Sequence, residues 1–478
     1  MSAYVWIVIA VIVIIIVIVA IIVYFSTRPT TNSNTDKNIN TSLVTIINQF
    51  EFPIWVEAKY GNNGIPIPPA GNLYLDNTTL TTYANNTDAQ NYWKSAITTV
   101  EIPPGMNVGY NVDPGGLAGA RFWAKFSCSP CGANGKYASS PALCLPPYPV
   151  SCSNTGNCAF KGAGTNCIIG DSSQYYVPPT STNSGGGVGG CPSGGCSVPI
   201  DSLFEATFGC TNNNCNPNPS GPGNLGPNTY FDTSQVDGYT FPYLVVITGN
   251  IDGCVNTNTG QTMQQTTALI NGKNTTVAYI DGRGLVMDYD GSVGCPNNAD
   301  LSYKNVTSVT DTSLTPPVTY DLTKVDLGLY LDTSTQKITF NPTDSKVGCM
   351  SSCKKLNYGQ PYGMNQAEGC IPTIAYCCPT TIVNNTCSGV NPGCVNGTTN
   401  AAGLTGCVTS SQCSNGPVAT SAYVQSVHTM APGVYAYAYD DKEGLYSCGN
   451  NVQYYVIFGP DNANSTTYWN SIWNSLGN

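Results

Sequence analysis

All 22 cysteines of the chain lie beyond position 127, and this clustering restricts what the polypeptide can fold into. Thiols at this density form a disulfide framework, which persists in an oxidising setting. Such a framework pins long irregular segments that an apolar core alone would not hold. Segment 132–198 is rich in Gly, Ser, Pro and Cys, including SGGGVGGCPSGGC at 184–196, and 386–419 is a second Cys/Gly/Asn stretch. Both read as enlarged loops. A third enlargement, 255–346, contains strand-like runs and one cysteine, Cys295.

Around these segments, short apolar or alternating runs are broken by Gly, Pro and Asn. SLVTIINQF, ITTVEIP, ARFWAKF, FPYLVVITG, VAYID, LGLYL, KITF and VQYYVIFG all read as strands. Helical periodicity is scarce: Ala422 to Met430 fits a short helix, and Cys349 to Leu356 a further turn. No strand–helix alternation points to a dinucleotide-binding unit. The expected class is all-β, a sandwich with a disulfide-rich loop lobe.

The N-terminus follows other rules. Tyr4 to Phe25 is apolar and uncharged throughout. About 20 such residues span a bilayer as a helix. The start MSAY lacks the basic residues of a cleaved signal, and the run is too long for one. The expectation is therefore an anchor at 1–25 in contact with membrane lipid, a polar linker at 26–41, one domain at 42–460 and a tail at 461–478. The tail carries Trp469 and Trp473, suited to docking on the domain or on a partner. Arg28 and Lys37 follow the run and weakly favour a cytoplasmic domain, whereas the cysteines favour an extracytoplasmic one. Two localisations reconcile them: an oxidising extracytoplasmic environment, or the membrane of a large DNA virus particle that forms its own disulfides. Eight asparagines (40, 77, 85, 274, 305, 384, 396 and 464) open glycosylation sequons. Chance yields about as many in a chain this rich in Asn, Ser and Thr, so their number does not settle the side.

Only 9% of residues are charged and the net charge is -10, which excludes the basic footprint of a nucleic-acid binder. The single His428 argues against histidine-rich zinc chemistry and reads as a surface or packing residue. Cys128-Ser-Pro-Cys131 lacks the strand–helix context of a redox motif, and Asp288-Tyr-Asp290-Gly291 lacks the distal ligands of a calcium loop. No metal and no cofactor is expected.

Four separated stretches, in order, resemble the thaumatin-like protein family: IINQFEFPIWVEA (46–58), ARFWAKFSC (120–128), SLFEATF (202–208) with TYFDTSQVDGYTFP (229–242), and YAYAYDDKEGLYSCGNNVQYYVIFGP (435–460). CMSSC and AYCC, between the last two, resemble the family's disulfide-rich lobe. The resemblance implies a thaumatin-like β-sandwich and the bridges Cys128–Cys167, Cys353–Cys377 and Cys378–Cys387. The family's first and last cysteines, which pair, align with Phe50 and Gly459, and another aligns with Ala431. The terminal strands should therefore pair without a covalent link.

The resemblance also implies an acidic cleft. Its ligand-binding residues carry over to Arg121, Glu205, Asp232, Asp237 and Asp441, with Asp440 as a substitute for the last. The chain has three arginines and six glutamates, so one of each at these positions is informative. Crowded carboxylates raise at least one pKa, and glycoside hydrolysis needs one protonated and one ionised carboxyl. As a hydrolase the chain would use Glu205 as acid, with Asp232 or Asp237 as partner. The plain alternative is that Asp237-Gly238 marks a turn and Arg121 a structural ion pair. The expected role is a membrane-displayed surface protein, either glycan-binding (a β-glucan or other polysaccharide) or structural with capsid or envelope partners. Weak endo-β-1,3-glucanase activity is the alternative.

Overall fold

The structure is a computed structural model that describes residues 43–60, 65–66, 73–74, 99–102, 104–105, 107–110, 112, 116–127, 167–169, 202–210, 226–270, 273–359, 362–366, 372–378, 382–383, 386–387, 413–460 and 463–475. The described residues within 42–267 and 276–478 belong to one compact unit, which holds the core and the site. Among the described residues no helix is long and apolar enough to cross a membrane. The anchor expected at 4–25 and the linker at 26–41 lie outside them.

In chain order the first strands are β1 (Val44–Asn48), β2 (Ile54–Tyr60), β3 (Ile65–Pro66), β4 (Leu73–Tyr74), β5 (Thr99–Ile102), β6 (Asn107–Tyr110), β7 (Leu117–Lys125), β8 (Leu203–Phe208) and β9 (Thr229–Ser234). Then come β10 (Gly238–Tyr239), β11 (Tyr243–Gly249), β12 (Val255–Asn256), β13 (Gln265–Ile270), β14 (Lys273–Asp281), β15 (Ser308–Asp311), β16 (Val318–Asp321), β17 (Gly328–Asp332), β18 (Lys337–Thr339) and β19 (Ser345–Met350). The last are β20 (Ile382–Val383), β21 (Thr386–Cys387), β22 (Tyr446–Cys448) and β23 (Val452–Phe458). Helices are α1 (Ser352–Asn357), α2 (Thr373–Cys377), α3 (Ala422–Met430), α4 (Asp441–Gly444) and α5 (Ala463–Ser475).

One sheet has the order β13-β14-β11-β23-β1-β6-β4, and a second runs β12-β22-β9-β8-β7-β2-β3 with β5 also on β2. Period-two alternation sends one face of each strand into a shared core. On β23, Val452, Tyr454, Val456 and Phe458 point inward. Tyr454 meets Phe204, Phe208 and Phe231 of the other sheet with ring centroids 5.6, 5.9 and 5.1 Å apart. Tyr110 meets Phe122 at 5.2 Å. Each such ring contributes roughly 2–3 kcal/mol of apolar burial. A smaller sheet, β10-β19-β17-β18, takes its last three strands from 328–350. Much of the 255–346 stretch is thus ordered strand, with β13 and β14 widening the first sheet.

The terminal strands β1 and β23 pair in parallel, with Asn48 opposite Phe458, and Gln49 N–H donates to the Phe458 carbonyl at 2.8 Å. No bridge is available there, because Phe50 and Gly459 occupy the two positions. A Cβ at Gly459 would stand 2.6 Å from Gln49 Cβ, so the two chains approach too closely for a side chain. The tail expected at 461–478, with Trp469 and Trp473 suited to docking, contains the helix α5. Its spacing explains why: Trp469, Ile472 and Trp473 share one face at i, i+3 and i+4. Trp469 packs 4.8 Å from Phe241, 5.9 Å from Phe126 and 6.3 Å from Phe50. Trp473 stacks on Phe52 at 5.3 Å. Asn470 Nδ2 donates to Glu51 Oε2 at 2.6 Å, and Tyr468 O–H donates to the Lys346 carbonyl.

Four bridges join described residues: Cys254–Cys448, Cys295–Cys349, Cys353–Cys377 and Cys378–Cys413. Cys353–Cys377 ties α1 to α2 in the pairing the resemblance implies. The expected Cys378–Cys387 bridge is corrected to Cys378–Cys413. Cys378 caps α2 in the left-handed region (φ 51) and lies 5.7 Å, Cα to Cα, from the buried Cys413. Cys387 sits opposite Ile382 in the β20–β21 hairpin. Bond formation follows proximity in the packed lobe rather than nearness along the chain. Cys167 is buried and disulfide-bonded, while its expected partner Cys128 lies outside the described residues.

Beneath α1, Lys355 is 3% exposed. Its ammonium donates to the Gly328 carbonyl at 3.3 Å and lies 4.4 Å from the Phe340 ring centroid. Burial lowers its pKa to about 8, against the opposing charge of Asp326.

Candidate functional site

Strands β7, β8 and β9 set three of the sequence-derived residues side by side. The register places Arg121 opposite Glu205, and Glu205 opposite Asp232. Their neighbours Ala120, Phe122, Phe204, Ala206, Phe231 and Thr233 are buried, so alternation turns the charged members to the other face. Arg121 Nε donates to Glu205 Oε1 at 2.5 Å, with the side chains 37% and 25% exposed. The Arg121–Glu205 end of the row is thus partly open to solvent, while Asp232 is half-buried.

Asp441 joins from the start of α4, which leads into β22. Because β22 pairs with β9 (Tyr446 opposite Phe231), α4 is delivered beside Asp232. Tyr435 is set next to β9 by a parallel bridge to Ser234: its N–H donates to the Thr233 carbonyl at 3.0 Å, and its carbonyl accepts from Gln235 N–H at 2.7 Å. Its hydroxyl donates to Asp441 Oδ1.

The electrostatics follow from this crowding. Asp232 is pushed well above the usual carboxylate range, first by burial and then by the charges of Glu205 and Asp441, with Arg121 pulling the other way. Tyr435 is also raised, by burial, by its bond to Asp441 and by the charges of Asp232, Asp441 and Asp440. Asp232 is therefore a carboxyl of raised pKa, set in register beside the arginine-paired Glu205.

Asp237 stands apart from this group. At the bend after β9 it is 8% exposed, and Lys354 Nζ lies 2.9 Å from its Oδ1. It lines a small cavity with Lys354, Tyr376, Tyr423 and Tyr437 and the Cys353–Cys377 bridge; Arg121, Glu205, Asp232 and Asp441 do not line it. The structure brings four of the five residues to one face and directs Asp237 toward α1. Asp440 does not substitute for Asp441. It is 4% exposed, and its Oδ2 takes His428 at 2.7 Å and the Ala436 N–H at 2.9 Å, which holds the loop carrying Tyr435.

His428 is thereby a buried-side partner rather than a free surface residue. Burial lowers its pKa, but the hydrogen bond and charge of Asp440, with Glu443, outweigh this and raise it. Asp440 is itself raised, by burial first, with His428 opposing. The raised histidine contributes stability below its unfolded pKa of about 6.5 that is lost as pH rises through the folded value. Asp440 sets the acid limit, because its protonation removes the partner charge. His428→Gln should lower stability by roughly 0.5–1 kcal/mol near pH 6 and by less above pH 8. Thermal unfolding of both proteins across that range checks this; a pH-independent gap would remove the ionic component.

Two further residues escape sequence reasoning. Tyr435 is one of 30 tyrosines, and nothing local distinguishes it. Tyr230 is 47% exposed and stands two residues before Asp232, on the same strand face. Strand alternation from Asp232 would have found it.

The fold and site define a β-rich, disulfide-rich domain that presents a partly exposed Arg–Glu–Asp row. No protein-family model and no curated protein matches the sequence. Among solved structures, the chain is similar to a thaumatin-like xylanase inhibitor, TLXI, at 11% identity over 44% of this chain and 77% of that one, with a TM-score of 0.20. A likeness of that size is weak and decides nothing about function.

Proposed function

We propose that the chain displays a thaumatin-like β-sandwich, held at a membrane by residues 4–25, as a surface glycan-binding protein. The observation that carries this reading is the row Arg121–Glu205–Asp232, partly open to solvent at Arg121 and Glu205, with the exposed ring of Tyr230 beside it. Guanidinium and carboxyl groups exchange hydrogen bonds with sugar hydroxyls, and the tyrosine ring offers an apolar face for a pyranose. A neutral polysaccharide is not repelled by the net charge of -10. The test is retention of the detergent-solubilised full chain on insoluble β-1,3-glucan. Arg121→Ala and Tyr230→Ala should each weaken retention about tenfold, the equivalent of roughly 1.4 kcal/mol. Absence of retention by the unmodified chain would reject glycan binding and leave a structural role with capsid or envelope proteins.

One observation favours a second reading, weak endo-β-1,3-glucanase. A carboxyl raised in pKa stands directly across adjacent strands from an arginine-paired one. The roles then exchange relative to the sequence expectation: Asp232 is the acid and Glu205 its partner. Reducing-sugar release should vanish in both Asp232→Asn and Glu205→Gln; release unchanged in either would end this reading.

A further inference from the structure

We infer that Asn305 is an N-glycosylation site and that the domain therefore matures in a glycosylating, oxidising lumen. The number of sequons carries no information, but the placement of this one does. Asn305-Val306-Thr307 occupies a tight reversal in which Tyr303 and Val306 exchange backbone hydrogen bonds, at 3.2 Å (Tyr303 N–H to Val306 carbonyl) and 2.9 Å (the reverse). The two central residues, Lys304 (φ 48) and Asn305 (φ 65), are both left-handed, the conformation of a tight hairpin turn. Asn305 and the hydroxyl-bearing Thr307 are both exposed. An asparagine in this backbone conformation commonly bonds its own turn; among the described residues no hydrogen bond, ion pair or ring contact engages the exposed Asn305 side chain, which leaves its amide available to a transferase.

A second, independent feature lies in the same segment. Asn305 falls within the loop of sequence separation 54 closed by the Cys295–Cys349 bridge, and ten cysteines of the described residues are disulfide-bonded. Covalent oxidation and sequon use are both expected of a chain that folds in a lumen. Chemically, Asn305 Nδ2 would attack C1 of a lipid-diphosphate-linked oligosaccharide. The N–C1 bond forms as the C1–O bond to diphosphate breaks. The lipid diphosphate leaves with the electron pair, and the amide proton passes to a base of the transferase. The side chain is far along the sequence from the charged row and belongs to no part of it, so the inference stands whether or not the glycan-binding reading survives.

The full chain should be expressed in a eukaryotic secretory host and its peptides mapped after treatment with an amidase that releases N-glycans. The expected result is conversion of Asn305 to aspartate in most molecules. One step of gel mobility should be lost in Asn305→Gln and equally in Thr307→Ala, which spares the asparagine but removes the sequon. An unmodified Asn305 in the expressed chain overturns the inference, whether its cysteines are found oxidised or reduced. An enzyme-sensitive mobility shift in both variants equal to that of the unmodified chain assigns the glycan to other sequons and overturns it too.

Discussion

Replacing Trp469 by alanine should destabilise the domain by about 3–5 kcal/mol, the cost of emptying a fully packed aromatic site. Trp469 is 2% exposed and touches Phe50, Phe126 and Phe241, three rings from three separate parts of the chain. The cluster sits where the resemblance places the missing terminal disulfide, since Phe50 stands at one of its two positions. The helix α5 thus covers the seam between β1 and the end of β23 by apolar burial rather than by a covalent bond. Helix and strand pairing should be lost together in chemical denaturation, as one transition. The control is Ser471→Ala, an exposed position on the same helix, which should change little. A loss below about 1 kcal/mol for Trp469→Ala would mean that α5 does not dock in solution.

Lys355→Met should act in the opposite direction and stabilise the protein at pH 7 by about 2–3 kcal/mol. The buried ammonium has a folded pKa of about 8 against an ordinary lysine value of 10.5, because burial disfavours its charge. A basic group whose folded pKa is lowered costs stability fully below that value; the cost fades as pH rises toward the unfolded pKa. Each pKa unit is worth about 1.4 kcal/mol, and losing the bond to the Gly328 carbonyl returns roughly 1 kcal/mol of the gain. Asp326 keeps its own partners, the Gly328 N–H at 2.8 Å and the Tyr330 hydroxyl at 2.7 Å, so it is not orphaned by the change. Urea denaturation at pH 7 and at pH 10 reads the effect. The advantage of the variant should be largest at pH 7 and should shrink at pH 10; a less stable variant at pH 7 would refute the burial argument.

The strands were legible because strand pattern is local. Period-two alternation in ARFWAKF or VQYYVIFG marks which side chains face the core, and Gly, Pro and Asn mark the ends. The helix α3 was legible for the same reason, with Ser421 as its cap accepting from Val424 N–H. Two elements resisted. The α5 helix opens with ANSTT, residues that favour caps and turns over helix interiors, and only its docked aromatic face pays for the ordering. In the 255–346 stretch VAYID, LGLYL and KITF were legible as strands, but their sheet membership was not, because it depends on pairing partners: β14 extends the first sheet, whereas β17 and β18 belong to the smaller one.

For the site, residue types and approximate positions came from motif resemblance, whereas grouping depended on register. Arg121, Glu205 and Asp232 lie on three strands separated by long connections, and a one-residue slip in any pairing would turn one of them into the core. The choice between Asp440 and Asp441 is of the same kind. Adjacent and chemically identical, they differ only because a helix begins between them, turning one inward to His428 and the other toward Tyr435.

The cysteines mark the same boundary. Composition alone established that the chain needs a cross-linked, oxidised fold, because thiol density and loop length are properties of the linear sequence. Which sulfurs meet was decided by the tertiary structure. Cys378 bonds Cys413 rather than the nearer Cys387, since a disulfide forms only between Cα atoms that packing brings within about 4.4–6.8 Å.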